Sequence, residues 1–389
     1  MFFILIGIVL AAFLESGTIA SIVYYSLDLI HPAVFLPAGL LLCSFMSVSV
    51  GTLMGTVATA GVILIGVGAA MGVPLPIVAG MVIAGASFGD KMSPLSDTTN
   101  LAAISAETDL YTHIKSMLYT TIPTYILCLI IFTFIGFQYS AEILATNDIE
   151  IFQAAIKSHY NVSLWGFLPI IVLFGMSINK IPAEPSMIAS SFVAIIIAVV
   201  QQNHEILSIL TSLQSGYKAS TGHADLDMLL NRGGIMSMMS TFSIALFAMA
   251  LGGLLDKIGY LTSLLQGILQ HLKSVVSLLF ATMMTGIICS IGTGQSYISI
   301  VLTSQLFKKK YDEMGLKRRM LSRTVEESTT LITPLMPWSL GGAYYAGVMG
   351  VPVLDYMPWA FLNYMNFIVA LIIASMGFAI FRKEPVKAS

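Results

Sequence analysis

Long apolar runs alternate with short polar segments along the whole chain. No Asp, Glu, Lys or Arg occurs in the runs 33–86, 116–137, 185–200, 235–255, 274–303 and 356–381. An α-helix needs about 20 apolar residues to cross the roughly 30 Å of hydrocarbon in a bilayer. The pattern therefore predicts an all-helical, polytopic membrane protein with roughly ten crossings or half-crossings.

The composition agrees with a membrane location. Of the 389 residues, 57% are hydrophobic and only 10% are charged, whereas soluble domains have about 25% charged residues. The opening apolar run lacks a basic start and continues past Glu15, so we expect a retained membrane helix rather than a cleaved signal peptide. The three cysteines, Cys43, Cys128 and Cys289, lack CxxC spacing and are expected in the core.

Two short motifs recur in the two halves of the chain. Ser-Val-Gly-Thr at 49–52 resembles Ser-Ile-Gly-Thr at 290–293, and Ser-Pro-Leu at 93–95 matches Thr-Pro-Leu at 333–335. The offsets are about 241 and 240 positions, so they agree within one residue. Similar segments at a constant offset indicate a structural repeat, and transporters commonly contain inverted repeats. We therefore predict two tandem halves.

The repeat also sets the expected domain boundaries. Its offset places Glu15 opposite Asp256, each near the end of an apolar run. The first repeat is then 1–140, the linker 141–161 and the second repeat 162–389. The second half has two predicted helices before Asp256 that the first half lacks, so we expect about two helices to be absent from the amino end.

The distribution of Lys and Arg predicts the orientation. The loop 308–319 contains six basic residues, whereas its counterpart at 68–76 has no charge. Short basic loops stay in the cytoplasm, and equivalent loops of an inverted repeat face opposite sides of the membrane. The loop 308–319 and the carboxyl terminus are therefore predicted to be cytoplasmic, with 70–74 outside.

The segment 85–100 places ionisable and hydroxyl side chains directly after an apolar run. An ionisable group at membrane depth is costly unless it faces a cavity or a partner, which makes it a candidate functional group. Gly89 and Pro94 are expected to interrupt the helix, and the freed carbonyls suit a hard cation such as Na⁺. The candidate ion- or proton-binding residues are Asp90, Lys91, Ser93, Ser96, Asp97, Thr98, Thr99 and Asn100, with Asp97, Thr98 and Asn100 as candidate Na⁺ ligands. Alternatively, the stretch is an ordinary polar loop in which Asp90 and Lys91 are surface charges. For Asp97 alone, the alternative is an N-cap on the helix that follows.

The segment 322–339 repeats this design in the second half. It combines acidic and hydroxyl residues with two prolines, and paired interrupted acidic segments are the best sequence indication of a transport site. The candidate residues are Glu326, Glu327, Ser328, Thr329 and Thr333. One glutamate could instead pair with Arg323. The six histidines fall mostly at predicted helix ends or loops, and we expect no single one to sense pH.

Three stretches carry a family resemblance: FGDKMSPLSDTTNLAAISAETDLYTHIKSMLYTT from Phe88, TGHADLDMLLNRGGIMSMMS from Thr221 and SRTVEESTTLITPLMPWSLGGAYYAG from Ser322. They resemble the NhaC family of Na⁺/H⁺ antiporters over nearly the whole chain. The resemblance implies a secondary antiporter of the ion-transporter superfamily, in which each half contributes a hairpin and an interrupted helix to a midplane site. It implies functional roles at positions 90, 91, 93, 97–100 and 326–329.

The expected activity is secondary active exchange of Na⁺ for H⁺, not enzymatic catalysis. A carboxylate that holds either ion, but not both, makes exchange obligatory if only the loaded forms reorient. Asp97 is the first choice for this carboxylate. Asp90 and Lys91 would tune it, and Glu327 would be a second ionisable group. The alternative is Na⁺-coupled exchange of malate and lactate, with Lys91 or Arg323 binding the organic acid.

The remaining expectations concern energy source, partners and location. No GxxxxGK[ST] motif occurs, which disfavours ATP-driven pumping. We expect no cofactor, with Na⁺ and H⁺ as the transported ions. The expected partner is the lipid bilayer of the cytoplasmic membrane, with no nucleic acid and with a homodimer left open.

Overall fold

The computed structural model of the chain is helical throughout the part that it describes. The described residues are 2–29, 32–94, 96–143, 146–179, 181, 183–219, 227, 230–231, 233–239, 242–243, 246–247, 250, 254, 257–258 and 274–383. Within them there is no β-strand, and one isolated bridge joins Leu316 to Arg382. The predicted all-helical fold is confirmed.

The helices follow one another with short connections. The first are α1 (Phe2–Glu15), α2 (Thr18–Leu29), α3 (Pro32–Val50), α4 (Leu53–Ala70), α5 (Leu75–Met92), α6 (Asp97–Ser105), α7 (Leu110–Ile143) and α8 (Thr146–His159). They are followed by α9 (Leu168–Ile178), α10 (Ala183–Val200), α11 (Ile206–Ser215), α12 (Val275–Thr293), α13 (Ser296–Glu313), α14 (Arg318–Thr329), α15 (Leu340–Met349), α16 (Val353–Tyr356) and α17 (Phe361–Ser375).

Several of these helices have the length and composition of membrane spans. Among the described residues, four helices are long and apolar enough to cross, and the count rises to six if each of two bent pairs is one span. Shorter apolar helices of 10–17 residues accompany them, as expected for half-crossings. The predicted run 235–255 lies largely outside the described residues.

The bend between α1 and α2 contains a buried acidic residue. The two helices meet at 67°, and Gly17 takes a positive φ of 70° there. Glu15 is buried and forms a hydrogen bond with Nδ1 of His204. Its predicted counterpart, Asp256, lies outside the described residues, so that correspondence stays a prediction.

A helix–glycine–helix corner lies at or just after each motif of the first matched pair. Gly51 separates α3 from α4 with φ of 77°, and Gly294 separates α12 from α13 with φ of 65°. An extended residue follows each glycine, Thr52 in the first corner and Gln295 in the second. Glycine is favoured here because other residues rarely adopt this left-handed conformation. The second corner lies two positions later than an offset of 241 predicts, because Gly292, the counterpart of Gly51, is still within α12.

The second pair of matched motifs forms two interrupted helices. In the first, α5 ends at Met92 and α6 begins after Ser96, whose hydroxyl accepts from the backbone N–H of Thr99. In the second, Thr333–Leu335 is a 3₁₀ turn between α14 and α15. The side chain of Ser339 caps α15. The interruptions predicted at Pro94 and at the prolines of the second segment are confirmed, whereas the break predicted at Gly89 is wrong because Gly89 lies inside α5.

Small residues bring α5 very close to α3. A methyl group on Gly89 would overlap the carbonyl oxygen of Ser44, so α5 can approach only with glycine at this position. The hydroxyl of Ser44 donates to the carbonyl of Gly85 at 3.2 Å, and that of Ser47 donates to the carbonyl of Ala86 at 2.7 Å. Small residues and interhelical hydrogen bonds of this kind hold membrane helices together.

Each corner joins two helices, and the open ends of the two helix pairs lie at opposite ends of α7. This helix has 34 residues, which is about 51 Å at 1.5 Å per residue. Just before its start, Glu107 pairs with Lys308 of α13, whereas Gly136 near its end packs against Ala33 at the start of α3. An inverted repeat predicts this arrangement, and the repeat relation itself stays a prediction.

The end of the described chain lies against the basic loop. The backbone N–H of Lys317 donates to the carbonyl of Phe381 at 2.8 Å, and that of Lys383 donates to the carbonyl of Gly315 at 2.7 Å. The guanidinium of Arg319 lies 3.5 Å from the centre of the Phe381 ring. The loop and residues 381–383 are therefore on the same side of the helix bundle.

Candidate ion-binding site

The two corners and the two interrupted helices meet at one cavity of about 90 Å³. That space is enough for several water molecules or a partly hydrated cation. Its lining includes Gly51, Thr52, Asp90, Ser96, Asp97, Thr98, Gly294, Gln295, Ser296, Thr330, Thr333 and Tyr345. Segments that are far apart in sequence therefore combine into a single polar site.

Asp90 is the buried carboxylate of this cavity. It lies in the last turn of α5 and is 9% exposed. The hydroxyl of Thr98 donates to its Oδ2 at 3.3 Å, and the Ser96 hydroxyl and the backbone N–H of Leu53 also interact with it. Leu53 begins α4 and Ser96 caps α6, so two helix amino ends, which favour negative charge, face this carboxylate.

Asp97 occupies a different environment. It is the first residue of α6, it lines the cavity, and its side chain is exposed. The residue that caps α6 is Ser96, so the alternative reading of Asp97 as the cap is wrong. Because Asp97 is exposed, burial does not force its carboxylate to take up an ion. Asp90 is the carboxylate on which burial acts in this way.

The other candidates of the first segment divide into lining and structural residues. Thr98 lines the cavity, whereas the amide of Asn100 donates to the carbonyls of Pro94 and Ser96 at 2.9 and 2.8 Å. The hydroxyl of Ser93 donates to the carbonyl of Val48 at 2.8 Å. Asn100 and Ser93 thus satisfy backbone groups at the interruption.

Lys91 points away from the cavity lining and into the protein. It is almost completely buried, and Asp90, Glu326 and Glu327 all attract its ammonium group. Its Nζ has no hydrogen-bond partner within the described part of the chain. A buried ammonium group without a hydrogen bond is costly, so its acidic neighbours must stabilise it electrostatically.

Glu326 connects the two interrupted helices. It is completely buried on α14, and its Oε1 accepts from the hydroxyl of Thr99 at 2.9 Å. Its Oε2 lies 2.5 Å from Nε2 of His113, which is also completely buried. Nδ1 of His113 lies 2.8 Å from the hydroxyl of Ser322. The site therefore contains a histidine that the sequence argument did not select.

Glu327 has a separate environment from Glu326. Its Oε1 accepts a hydrogen bond from Thr120 of α7. Arg323 interacts electrostatically with Glu327, but its NH1 donates to the carbonyls of Ser116 and Ala379, each at 3.4 Å. No ion pair within 4.0 Å joins Arg323 to either glutamate in the described chain.

The hydroxyl candidates of the second segment mostly bond within their own helix. Ser328 donates to the carbonyl of Thr324 at 2.9 Å, and Thr329 donates to the carbonyl of Val325 at 2.8 Å. Thr333 lines the cavity and accepts from the hydroxyl of Ser296 at 2.8 Å. Of these three, only Thr333 contributes to the cavity wall.

A polar stripe on α7 provides the signal that could have identified His113. His113, Ser116, Thr120 and Thr124 are spaced by three or four residues and are all completely buried. That spacing places them on one face of a helix. The face contacts α14 through His113 and Thr120, which reach Glu326 and Glu327.

Comparison with known proteins gives the family. Residues 85–378 match the profile of the Na⁺/H⁺ antiporter family. The chain belongs to this family. It is similar to the Na⁺/H⁺ antiporter NhaC of Bacillus subtilis (strain 168), with 40% identity over 95% of this chain and 82% of that protein. It is also similar to NhaC of Alkalihalophilus pseudofirmus, with 35% identity over 98% of this chain and 82% of that protein.

A third relative carries a different name. The malate-2H⁺/Na⁺-lactate antiporter of Bacillus subtilis is 34% identical over 96% of this chain and 80% of that protein. All three relatives are antiporters, so the resemblance predicted from the motifs is confirmed. The chain is a membrane-embedded transporter of this family.

Proposed function

We propose that this protein exchanges Na⁺ for H⁺ across the cell membrane, with Na⁺ entering the cavity against Asp90. The observation that carries the proposal is the buried Asp90 carboxylate, which faces a polar cavity built from both halves of the chain. Na⁺ is a hard cation that prefers oxygen ligands, and carboxylate, hydroxyl and carbonyl oxygens are available there. Thr98 and the exposed Asp97 would contribute further oxygens at the cavity wall.

The charge balance of the buried groups supports exchange. With His113 neutral, the buried ionisable groups within the described residues around the cavity are three carboxylates and two cationic side chains: Asp90, Glu326, Glu327, Lys91 and Arg323. Uncompensated buried charge costs several kcal/mol per ion, so one further positive charge is strongly favoured. Either H⁺ or Na⁺ can supply it, and repulsion disfavours binding both.

The architecture supports alternating access. Interrupted helices and corner tips from two halves surround the cavity, and transporters move one such unit against the other around a fixed site. If reorientation requires a neutral cluster, the forms loaded with Na⁺ or H⁺ cross and the empty form does not. Exchange is then obligatory.

The test is transport by the purified protein in proteoliposomes containing an internal pH dye. Na⁺, K⁺, malate and lactate are added in turn to the outside. We expect Na⁺ to drive proton movement without an organic acid, and K⁺ to be inactive. Proton movement with K⁺ but not Na⁺, or with no cation at all, would refute Na⁺/H⁺ exchange.

A second candidate is Na⁺-coupled exchange of organic acids, which the buried ammonium of Lys91 favours. Lys91 does not line the cavity, so its ammonium, which lacks a hydrogen bond, would attract a substrate carboxylate from behind the cavity wall. One relative is named as a malate/lactate antiporter. Replacing Lys91 by Met would abolish malate- or lactate-dependent exchange. The matched control is Lys309→Met, since Lys309 is exposed on α13. If malate and lactate have no effect on the wild type, this candidate is excluded.

Orientation and assembly are proposed on the same basis. The basic loop and the carboxyl-terminal segment lie together, and short basic loops favour the cytoplasm. We infer that both face the cytoplasm in a multi-pass arrangement. A homodimer within the bilayer is a further proposal, which cross-linking in membranes would test.

A further inference from the structure

The pair formed by His113 and Glu326 lies outside the cavity in which we place Na⁺. Neither residue contributes to the cavity lining, and both side chains are completely buried, with 2.5 Å between Nε2 and Oε2. The other oxygen of Glu326 accepts from Thr99, whose hydroxyl also lies 3.3 Å from the carbonyl oxygen of Asp90. One threonine therefore connects the buried pair to the residue that faces the cavity.

The hydrogen bonds around His113 leave room for a second proton on the pair. When the hydroxyl of Ser322 donates to the carbonyl of Arg319 at 3.1 Å, its oxygen accepts from Nδ1–H of His113 at 2.8 Å. Nε2 then presents a lone pair to Glu326 unless it carries a second proton. Because a lone pair 2.5 Å from a carboxylate oxygen would be repulsive, this arrangement places a proton between Nε2 and Oε2.

The charged groups around this pair make it responsive to the cavity. Asp90 and Lys91 of α5 interact electrostatically with Glu326. Lys91 and Arg323 also interact with Glu327, the next residue of α14. The proton on the pair supplies the positive charge that balances the buried carboxylates. A Na⁺ ion at Asp90 would supply the same charge, so the proton would then be released to water.

We propose that His113 and Glu326 together hold the exchanged proton, while Na⁺ binds separately against Asp90. This rests on the proposed Na⁺/H⁺ exchange and specifies where each ion binds. On binding Na⁺, one proton leaves the pair. The proton that stays on His113 then lies on Nε2, facing the Glu326 carboxylate, and the hydroxyl of Ser322 donates to Nδ1. The two ions then compete through electrostatics and the Thr99 link, without sharing a carboxylate.

The experiment measures Na⁺ binding and proton release on the same purified full-length protein. Retention of ²²Na⁺ reports binding, and an indicator dye in weak buffer reports protons released on adding NaCl, with choline chloride as the salt control. His113→Gln keeps a hydrogen-bond donor for Glu326 but cannot titrate. We expect it to bind Na⁺ while proton release falls to background at the pH at which the wild type releases most. The matched control is His159→Gln, since His159 is exposed on α8, and it should behave like the wild type.

The outcomes separate the two proposals. If the wild type neither binds Na⁺ nor releases protons, Na⁺/H⁺ exchange itself is wrong. If the wild type does both and His113→Gln releases protons in unchanged amount and with unchanged pH dependence, or loses Na⁺ binding, the separate proton site is wrong. Should His113→Gln not fold, Ser322→Ala removes the acceptor for Nδ1–H and so disfavours the charged imidazolium. Its release profile should move to lower pH, and an unmoved profile would overturn the proposal.

Discussion

Replacing Asp90 by Asn removes a buried negative charge while keeping the size of the side chain. At 4 Å and an effective dielectric constant of 20, attraction between unit charges is about 4 kcal/mol. This dielectric constant applies to Asp90 because its side chain is only 9% exposed. Loss of this attraction corresponds to about a thousandfold lower Na⁺ affinity.

Asp97→Asn provides the matched comparison because both residues line the same cavity. Asp97 is exposed, and in bulk water the same attraction falls to about 1 kcal/mol, or about fivefold in affinity. The expected ratio between the two variants is therefore about two orders of magnitude.

The assay is the Na⁺ concentration that gives half-maximal proton movement in proteoliposomes, measured for both variants at matched protein incorporation. Intact folding is checked by size-exclusion chromatography. A larger loss for Asp97→Asn than for Asp90→Asn would show that burial does not decide which carboxylate binds Na⁺.

Three further outcomes can be measured on the same protein. Gly89→Ala should lower the free energy of unfolding by about 1–3 kcal/mol because its methyl group overlaps α3. Gly175→Ala, also within a helix but with no neighbour within 4 Å, should not lower the thermal midpoint. The hydrogen bond from Lys308 lowers the pKa of Glu107 below its ordinary value of 4.5. This pair therefore stabilises the fold fully above about pH 4.5, and the stabilisation is lost as the pH falls through the lowered pKa. The distance between a spin label beside Glu107 and one beside Lys308 should lengthen only below about pH 4.5. A change in this distance near neutral pH would contradict the prediction. Lys310→Cys should react with an impermeant maleimide only in inside-out vesicles, and labelling of intact cells would refute the orientation.

The sequence predicted the interruptions of the helices because their causes are local. Proline with hydroxyl residues follows the ends of α5 and α14, whereas the left-handed corners at Gly51 and Gly294 were not predicted. These residues constrain the backbone within a few positions, so they act in the same way in any tertiary context. The Pro-Leu pairs at 94–95 and 334–335 repeat at an offset of 240 positions, so the paired interruptions could be predicted without a structure.

The burial of individual side chains was not predictable in the same way. Asp90 and Asp97 are seven positions apart in one polar segment, yet the first is buried and the second exposed. The difference depends on how α5 packs against α3 and where α6 begins after the break. Both are tertiary properties, so the preference for Asp97 over Asp90 rested on the wrong environment.

The contact between His113 and Glu326 illustrates a second limit. The two residues are 213 positions apart, and a histidine near a helix start has many ordinary roles. The buried stripe on α7 would have shown which face of the helix is polar. It would not have shown that α14 supplies the acidic partner, because that depends on helix packing between the two halves.

The single hydroxyl of Thr99 explains how the buried pair and the cavity can be coupled. It has one proton and two acceptors, Oε1 of Glu326 at 2.9 Å and the carbonyl oxygen of Asp90 at 3.3 Å. A carboxylate is the stronger acceptor, with hydrogen bonds to charged groups worth about 1.5–3 kcal/mol and neutral ones about 0.5–1.5 kcal/mol. When Glu326 carries negative charge, Thr99 therefore favours Glu326 and leaves the carbonyl of Asp90 free for a cation. When the proton returns to Glu326, this preference weakens, the hydroxyl can turn to the carbonyl, and the oxygen becomes less available to Na⁺.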